Sequence, residues 1–284
     1  PAAGLAALAL DRLWQATVDA FGEETNRLLS LVVVAVLLYT GFIAIVLAYL
    51  VTMMDRRLRA YYKAAGTLAF TWRLLLTTGT GSIFGFIVAR QAFDTAVLAP
   101  MFIVMSFLYG LAVFILVLMF ACAQDDRPIG AYLLNRLKGL MAIFIAGVLL
   151  FILIYFLTKL YGAKHYDLVN YYLVSGGRYT VAFWFGWVFL GLLAPFGIIL
   201  HPVLGRDRRW LAGASALVIL GGMASLYVIV IGGQAFPMSL FPDKTLLESG
   251  FHDGVGGQIS AYAPSLPEFL LGLGGVAVAM LITA

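Results

Sequence analysis

The sequence predicts an all-α fold, a polytopic transmembrane helical bundle with about seven spans. Of its 284 residues, 63% are hydrophobic and only 11% are charged, which leaves too little polar surface to cover a water-soluble domain. The apolar residues lie in long runs, near or above the roughly 20 residues that a helix needs to cross the hydrocarbon layer. Apolar and polar residues do not alternate within these runs, whereas they do alternate within the strands of a membrane barrel.

The apolar runs predict the spans in chain order. They cover residues 28–54, 67–89, 96–122, 139–160, 180–203, 210–233 and 266–284. The second run is the least apolar, because it contains Arg73 and the stretch TTGTGS. We therefore expect an N-terminal segment (1–27) on the outer side and one transmembrane domain (28–284) with long outer loops at 161–179 and 234–264. Because the second loop is rich in Pro, Gly and aromatic residues, it is expected to fold as a cap.

The basic residues predict the orientation. The loops DRRLRAYYK, RPIGAYLLNRLK and GRDRR, after the first, third and fifth runs, hold ten Lys or Arg, whereas the loops on the other side hold four. By the positive-inside rule the first set is cytoplasmic, so the chain is expected in the cell inner membrane with its long loops in the periplasm. Since the basic residues are confined to short loops, the net charge of +4 does not indicate a nucleic-acid partner.

Histidine and cysteine usage argues against bound redox metals. A transmembrane haem needs histidines that face each other in pairs, but of the three histidines only His201 lies near a predicted span. The single cysteine, Cys122, cannot hold an iron–sulfur cluster or form an intrachain disulfide. No His, Asp and Glu cluster has a metal-ligand spacing. The sequence predicts no haem, iron–sulfur cluster or metal site in this chain.

The outer turn ARQAFDTA contains the first candidate pair. Arg90 and Asp94 are four residues apart, a spacing that pairs opposite charges if the turn is helical. Asp94 lies at the predicted membrane edge, where a carboxylate can accept a proton and pass it to water. The alternative interpretation is a plain interfacial ion pair.

The stretch IGGQAFP contains the second candidate. Gly232 and Gly233 are expected to let the backbone leave the helix, and Pro237 prevents the helix from resuming. Gln234 then offers a donor and an acceptor to a carbonyl or hydroxyl ligand that arrives from the lipid. The alternative is a glycine cap followed by a solvated glutamine.

Other polar groups inside the predicted spans are weaker candidates, since polar residues at membrane depth are often functional. Tyr39, Thr78 and Tyr227 are pocket candidates, and Arg73 and His201 would serve a proton path if the pocket opens to the cytoplasmic half. Each has a structural alternative: the tyrosines pack, Thr78 belongs to a small-residue packing face, Arg73 reaches the interface, and His201 caps a helix.

Four stretches resemble a known family. TGTGSIFGFIVARQAFDTAVLAPMFI, GGRYTVAFWFGWVFLGLLAPFGIIL, YVIVIGGQAFPMSLFP and FHDGV…YAPSLPEFLLGLGGVA occur in that order. They resemble the NrfD/PsrC family of integral-membrane quinone-reactive subunits, and most closely its DsrP branch of sulfur metabolism. The resemblance implies a subunit without its own haem or cluster. It would exchange electrons between the quinone pool (menaquinone or ubiquinone) and an attached iron–sulfur subunit, within a complex that contains further redox subunits.

On this hypothesis, we assign roles to the candidates by their chemistry. A quinol loses two protons and two electrons, so Asp94 would accept a proton, Arg90 would tune Asp94, and Gln234 would bind a quinone oxygen. Two other function classes stay open. A secondary transporter is favoured by the broken pattern of the second run, although no matching interrupted pair of spans is found. A structural anchor without its own quinone site would carry the same sequence features.

Overall fold

The computed structural model describes residues 23–55, 57–87, 90–124, 130–162, 165–237 and 265–283. All regular structure within these ranges is helical, which confirms the all-α class. The chain divides into two compact units, Pro1–Thr80 and Gly81–Ala284. Most of the N-terminal segment 1–27 and most of the predicted cap 234–264 lie outside the described residues.

The helices follow the predicted spans closely. They are α1 (Glu23–Met54), α2 (Tyr62–Gly85), α3 (Leu98–Gln124), α4 (Ala131–Tyr161), α5 (166–175), α6 (Arg178–Leu200), α7 (Arg208–Ala235) and α8 (Leu266–Thr283). The largest difference is the start of α4, at 131 instead of 139. The segment before 139 was expected to be a loop, but Leu134 and Leu137 are buried at helical spacing and extend the helix.

Five segments among the described residues are long and apolar enough to cross a membrane. They are Val36–Met54, Leu98–Gln124, Ala131–Tyr161, Arg178–Leu200 and Arg208–Ala235. The chain is therefore a multi-pass membrane protein. The segments α2 and α8 are helical, as expected, but they are not among these five, so the total of seven spans stays a prediction.

In the first unit, α1 packs against the part of α2 that belongs to this unit. The indole Nε1 of Trp72 donates to the carbonyl oxygen of Leu38 at 2.9 Å. The Trp72 ring lies over Gly41, where an added Cβ would come within 2.7 Å of it, and Tyr49 packs on Gly66 in the same way at 3.2 Å. Small residues thus allow the two helices to approach closely, as is common in membranes.

In the second unit, α6 and α7 cross with their backbones in contact. A Cβ built on Gly221 would lie 2.0 Å from the Cα of Gly191, and one on Gly186 would lie 2.8 Å from the Cβ of Ala224. There is no room for a side chain between Gly191 and Gly221, or for one on Gly186 opposite Ala224. The glycines therefore fix the distance between the two helices that supply much of this unit's core.

Three helices of this unit contain π-helical segments. These are Tyr171–Ser175 in α5, Ala182–Leu193 in α6 and Tyr227–Gly232 in α7. A π-helical turn closes its hydrogen bonds over five residues instead of four and is frequent at functional sites. Pro195, which has no N–H to donate, is the second residue after the segment in α6, where the helix returns to α geometry.

Candidate functional site

A cavity lies inside the second unit, between the non-helical residues 90–97 (the 90–97 turn) and helices α3 to α7. Its volume is about 30 Å³, and about 380 Å³ when the open space connected to it is included. It is lined by Ala92, Phe93, Leu98, Met101, Ile152, Tyr155, Phe156, Tyr172, Phe183, Trp187, Val228 and Ile229. The lining is almost entirely apolar.

Aromatic rings form one side of the cavity. The Phe156 ring contacts the rings of Tyr172 and Phe183 edge-on, with centroid distances of 6.2 and 5.2 Å and interplanar angles of 76° and 70°. Phe183 in turn contacts Trp187 at 5.8 Å and 89°. These edge-to-face contacts are favourable between aromatic rings and hold the wall in a defined shape. Such a wall suits a flat, apolar ligand.

Trp187 also provides a hydrogen-bond donor in this wall. The side chain is 4% exposed, and its Nε1–H has no acceptor within the described residues. The hydroxyl of Tyr109, which is bonded to Ser225 Oγ at 2.9 Å, lies close enough to interact with this N–H group. A buried donor without a well-formed hydrogen bond lowers stability, so an acceptor that enters here is favoured.

Tyr172 provides a second donor. It lies in α5, which is not one of the five candidate spans, and it is 4% exposed. Burial raises the pKa of the Tyr172 phenol well above its usual value of 10.0, and the neighbouring tyrosines Tyr155, Tyr171 and Tyr179 add to the effect. The phenol therefore stays protonated at neutral pH and can donate a hydrogen bond.

The 90–97 turn is bound to α4 by a buried lysine. Lys159 is 2% exposed, and its ammonium group donates to the carbonyl oxygens of Gln91 at 2.6 Å and Asp94 at 2.7 Å. The carboxylate of Asp94 also attracts this ammonium group electrostatically. One helical turn earlier, the hydroxyl of Tyr155 donates to the carbonyl oxygen of Ala92 at 2.7 Å.

On its other side the turn is bound to the end of α7. Nη1 of Arg90 donates to the carbonyl oxygens of Gln234 and of Phe236, the latter at 3.4 Å. Carbonyl groups at a helix C-terminus lack intrahelical partners and attract cations. The expected ion pair between Arg90 and Asp94 is not formed among the described residues, because Arg90 binds these carbonyls and Asp94 faces the charge of Lys159.

The expected exit from the helix at the two glycines is wrong. The helix α7 continues through Gly232, Gly233 and Gln234 to Ala235, and the backbone becomes extended at Phe236. Gly233 is needed for a close approach, since an added Cβ would lie 2.7 Å from the ring of Phe93 in the 90–97 turn. The side chain of Gln234 is exposed.

The other predicted residues of the second unit have structural contacts. Tyr227 stacks on Tyr179 with a centroid distance of 5.5 Å and an angle of 22°, and it directly precedes the cavity-lining Val228. Nδ1 of His201 accepts from the backbone N–H groups of Val203 and Leu204 at 3.3 and 3.2 Å, which orders the turn after α6.

The remaining predicted residues lie in the first unit. Tyr39 is 51% exposed. The Thr78 hydroxyl donates to the carbonyl oxygen of Leu74 at 2.8 Å, a bond within its own helix, and Arg73 lies over the ring of Phe42 at 5.5 Å. These contacts explain how polar side chains are accommodated on α2.

None of the eight predicted residues is among those that line the cavity, although Arg90, Asp94 and Tyr227 are close to lining residues in the chain. Four residues at or next to the cavity were not predicted from the sequence: Tyr155, Lys159, Tyr172 and Trp187. The one signal of such a site in the sequence was Lys159, a lone cation at the end of an apolar run. A lysine in that position is also explained by a side chain that extends to the membrane surface. Among the described residues, no group of three or more His, Cys, Asp or Glu could hold a metal ion.

Comparisons with known proteins point to one family. The family model described as polysulphide reductase, NrfD matches residues 2–238. The chain is 31% identical over 252 residues to the "Hdr-like menaquinol oxidoreductase integral membrane subunit" of Archaeoglobus fulgidus, which covers 86% of this chain and 61% of the relative. It is 25% identical over 205 residues to a selenate reductase subunit of Mesobacillus selenatarsenatis, covering 72% of this chain and 45% of the relative. The chain spans less than two thirds of either relative.

Proposed function

The chain belongs to the NrfD polysulphide reductase family, and from this we propose that it is the quinone-reactive membrane subunit of a multi-subunit oxidoreductase. It would exchange electrons between the quinone pool and an attached iron–sulfur subunit. The two relatives are named as subunits of oxidoreductases, and one is named for menaquinol. The multi-pass helical structure fits a subunit that meets its substrate within the lipid.

The observation that carries this proposal is the aromatic cavity with the buried Trp187 N–H in its wall. A quinone head group is a flat ring with two carbonyl oxygens that accept hydrogen bonds. The rings of Phe156 and Phe183 would contact its faces and edges, while Trp187 and Tyr172 would donate to its oxygens.

Oxidation of a quinol to a quinone releases two electrons and two protons. The electrons would pass to the iron–sulfur subunit, and both protons would pass one after the other through Asp94 to water, since Asp94 is exposed in the turn that forms part of the cavity wall. Gln234 and Tyr227 are secondary candidates for contacts with the ligand. Tyr39 and Thr78 remain hypotheses for a different pocket.

A cytoplasmic proton path through His201 and Arg73 is the alternative to Asp94. His201 follows α6, and Arg73 is exposed on α2. If protons leave by this path, substitution of these two residues slows quinol oxidation while Asp94→Asn does not.

The proposal extends to the type of quinone, the membrane and the branch of the family. We propose menaquinone as the quinone, because a two-ring naphthoquinone gains more from the aromatic wall than a single ring does, and because one relative is named for menaquinol. We place the chain in the cell inner membrane with the Lys- and Arg-rich loops in the cytoplasm. In its most specific form, the proposal assigns the chain to the DsrP branch, with a role in sulfur metabolism.

The test uses the complex purified with its native partners and mixed anaerobically with a short-chain menaquinol. The absorbance of the partners' redox centres reports electron transfer. We expect Tyr172→Phe and Trp187→Phe to raise the KM for quinol several-fold each, because each removes a hydrogen bond worth about 0.5–1.5 kcal/mol. Tyr166→Phe and Trp210→Phe are the controls, because both side chains are exposed.

Two results would overturn the proposal. If other donors reduce the partner subunits but menaquinol does not, the chain is an anchor or a transporter. If menaquinol reacts and both cavity variants behave like their controls, the quinone binds elsewhere in the complex.

A further inference from the structure

Lys159 is a buried cation in a membrane-spanning helix. Charged residues at membrane depth are costly, and those near a span end usually extend their side chains to water. Lys159 does the opposite, because it is 2% exposed and its ammonium group binds two carbonyl oxygens and lies near the Asp94 carboxylate. A buried charge of this kind persists only where its partners compensate the lost hydration.

The partners of Lys159 belong to a short segment with little structure of its own. In the 90–97 turn, the N–H groups of Phe93 and Asp94 donate to the carbonyl oxygen of Arg90 at 2.9 and 3.2 Å, which amounts to one helical turn. The carbonyl groups of Gln91 and Asp94 point instead to Lys159. Without this ammonium group the two carbonyl groups would lose a charged partner in a buried place.

The same face of α4 connects Lys159 to the cavity. Tyr155 and Phe156, four and three residues before Lys159, both line the cavity, and residues at these spacings lie on one face of a helix. The turn that Lys159 binds supplies two further lining residues, Ala92 and Phe93. The ammonium group therefore joins two walls of one pocket.

We propose that Lys159 is a positioning residue for the head-group pocket. It holds the 90–97 turn against α4, which keeps Ala92 and Phe93 at the distance from Tyr155 and Phe156 that a flat ring requires. It controls the affinity for the ligand and leaves the rate of electron transfer from the bound ligand unchanged. This inference rests on the proposed quinone function.

The test compares Lys159→Met with Lys138→Met in the complete complex. Lys138 lies on the same helix, and its ammonium group also donates to a backbone carbonyl oxygen, that of Gly205 at 3.2 Å, but Gly205 is not a cavity residue. We expect Lys159→Met to raise the KM for short-chain menaquinol at least tenfold while kcat stays within about twofold. Lys138→Met should leave both values unchanged.

A second readout reports the turn itself. In a Cys122→Ser background, a Thr95→Cys variant places a thiol in the 90–97 turn, and its rate of reaction with a maleimide measures how well the turn is held. Adding Lys159→Met should increase this rate, whereas adding Lys138→Met should not. If the Lys159→Met complex does not assemble, Tyr155→Phe removes the neighbouring bond to Ala92 and should change KM and labelling in the same direction.

The outcomes separate this inference from the proposed function. If the unmodified complex does not react with menaquinol, the proposed function is wrong. If it reacts and Lys159→Met leaves both KM and labelling unchanged, the positioning role alone is wrong. If Lys159→Met lowers kcat and leaves KM unchanged, Lys159 takes part in the chemistry instead, which also contradicts the inference.

Discussion

Asp94 interacts with Lys159 through its backbone and also through its side chain. Its backbone carbonyl oxygen accepts from Lys159, while its exposed carboxylate attracts the same ammonium group electrostatically. The exposed side chain can reach water, as its proposed role as proton acceptor requires. The backbone contact survives any substitution of the side chain, so the role of the carboxylate can be tested without removing the bond that holds the turn.

We expect Asp94→Asn to lower kcat for quinol oxidation by about tenfold or more, with little change in KM. General acid–base groups typically contribute 10²–10⁴-fold, and water near an exposed site replaces part of that contribution. Stopped-flow reduction of the partners' redox centres measures the effect. Asp167→Asn, at an exposed carboxylate on α5, is the matched control. Equal rates for the two variants would exclude Asp94 as the proton acceptor.

The sequence predicted the contacts of individual residues less well than it predicted the positions of the helices. It placed Arg90 and Asp94 in one turn, and the structure shows that turn next to a cavity. It assigned Arg90 to the wrong partner, because the free carbonyl groups at the end of α7 come from 144 residues further along the chain. Tyr172 and Trp187 were missed because hydropathy does not distinguish an aromatic residue that faces a cavity from one that faces lipid.

At the scale of helices, the crossing of α6 and α7 depends on Gly191 and Gly221. Because the contact is between backbone atoms, no rotamer change can make room for a methyl group. We expect Gly221→Ala to push the helices apart and to destabilise the fold by about 1–3 kcal/mol, as overpacking does.

Thermal unfolding in detergent measures this effect, and Gly213→Ala is the control. Gly213 lies on the same helix, and an added Cβ would meet nothing within 4 Å. The control should unfold at the same temperature or slightly higher, since Ala favours a helix over Gly by about 1 kcal/mol. Equal unfolding temperatures for the two variants would show that the crossing tolerates a side chain.

Helix positions were predicted well because the length of an apolar run directly reflects the thickness of the membrane. Two features at this scale were not predicted. The segment 166–175 was expected in a loop, but it forms α5, which supplies Tyr172 to the cavity. The π-helical segments in α6 and α7 were also missed, because a uniformly apolar run has no periodicity that would show a change in residues per turn.

At the scale of the whole molecule, composition predicted the class and the resemblance predicted the family, since both depend on features distributed along the chain. The cavity was beyond prediction because its walls come from the 90–97 turn and five helices that are far apart in sequence. The predicted orientation in the membrane rests on the Lys and Arg bias of the loops. Labelling from one side of the membrane tests it directly.

Cysteine labelling can test that orientation. In a Cys122→Ser background, Asp167→Cys places a thiol on α5 and Arg209→Cys places one at the start of α7, both at exposed positions. The charge bias puts Arg209 in the cytoplasm and Asp167 in the periplasm, so a membrane-impermeant maleimide added to intact cells should label the Asp167→Cys variant alone. After the membrane is permeabilised with detergent, both variants should be labelled equally, which shows that both thiols are reactive.

Labelling of Arg209→Cys alone in intact cells would reverse the orientation. The 90–97 turn lies between α2 and α3, so its predicted side, and with it the side on which Asp94 releases protons, would be reversed as well.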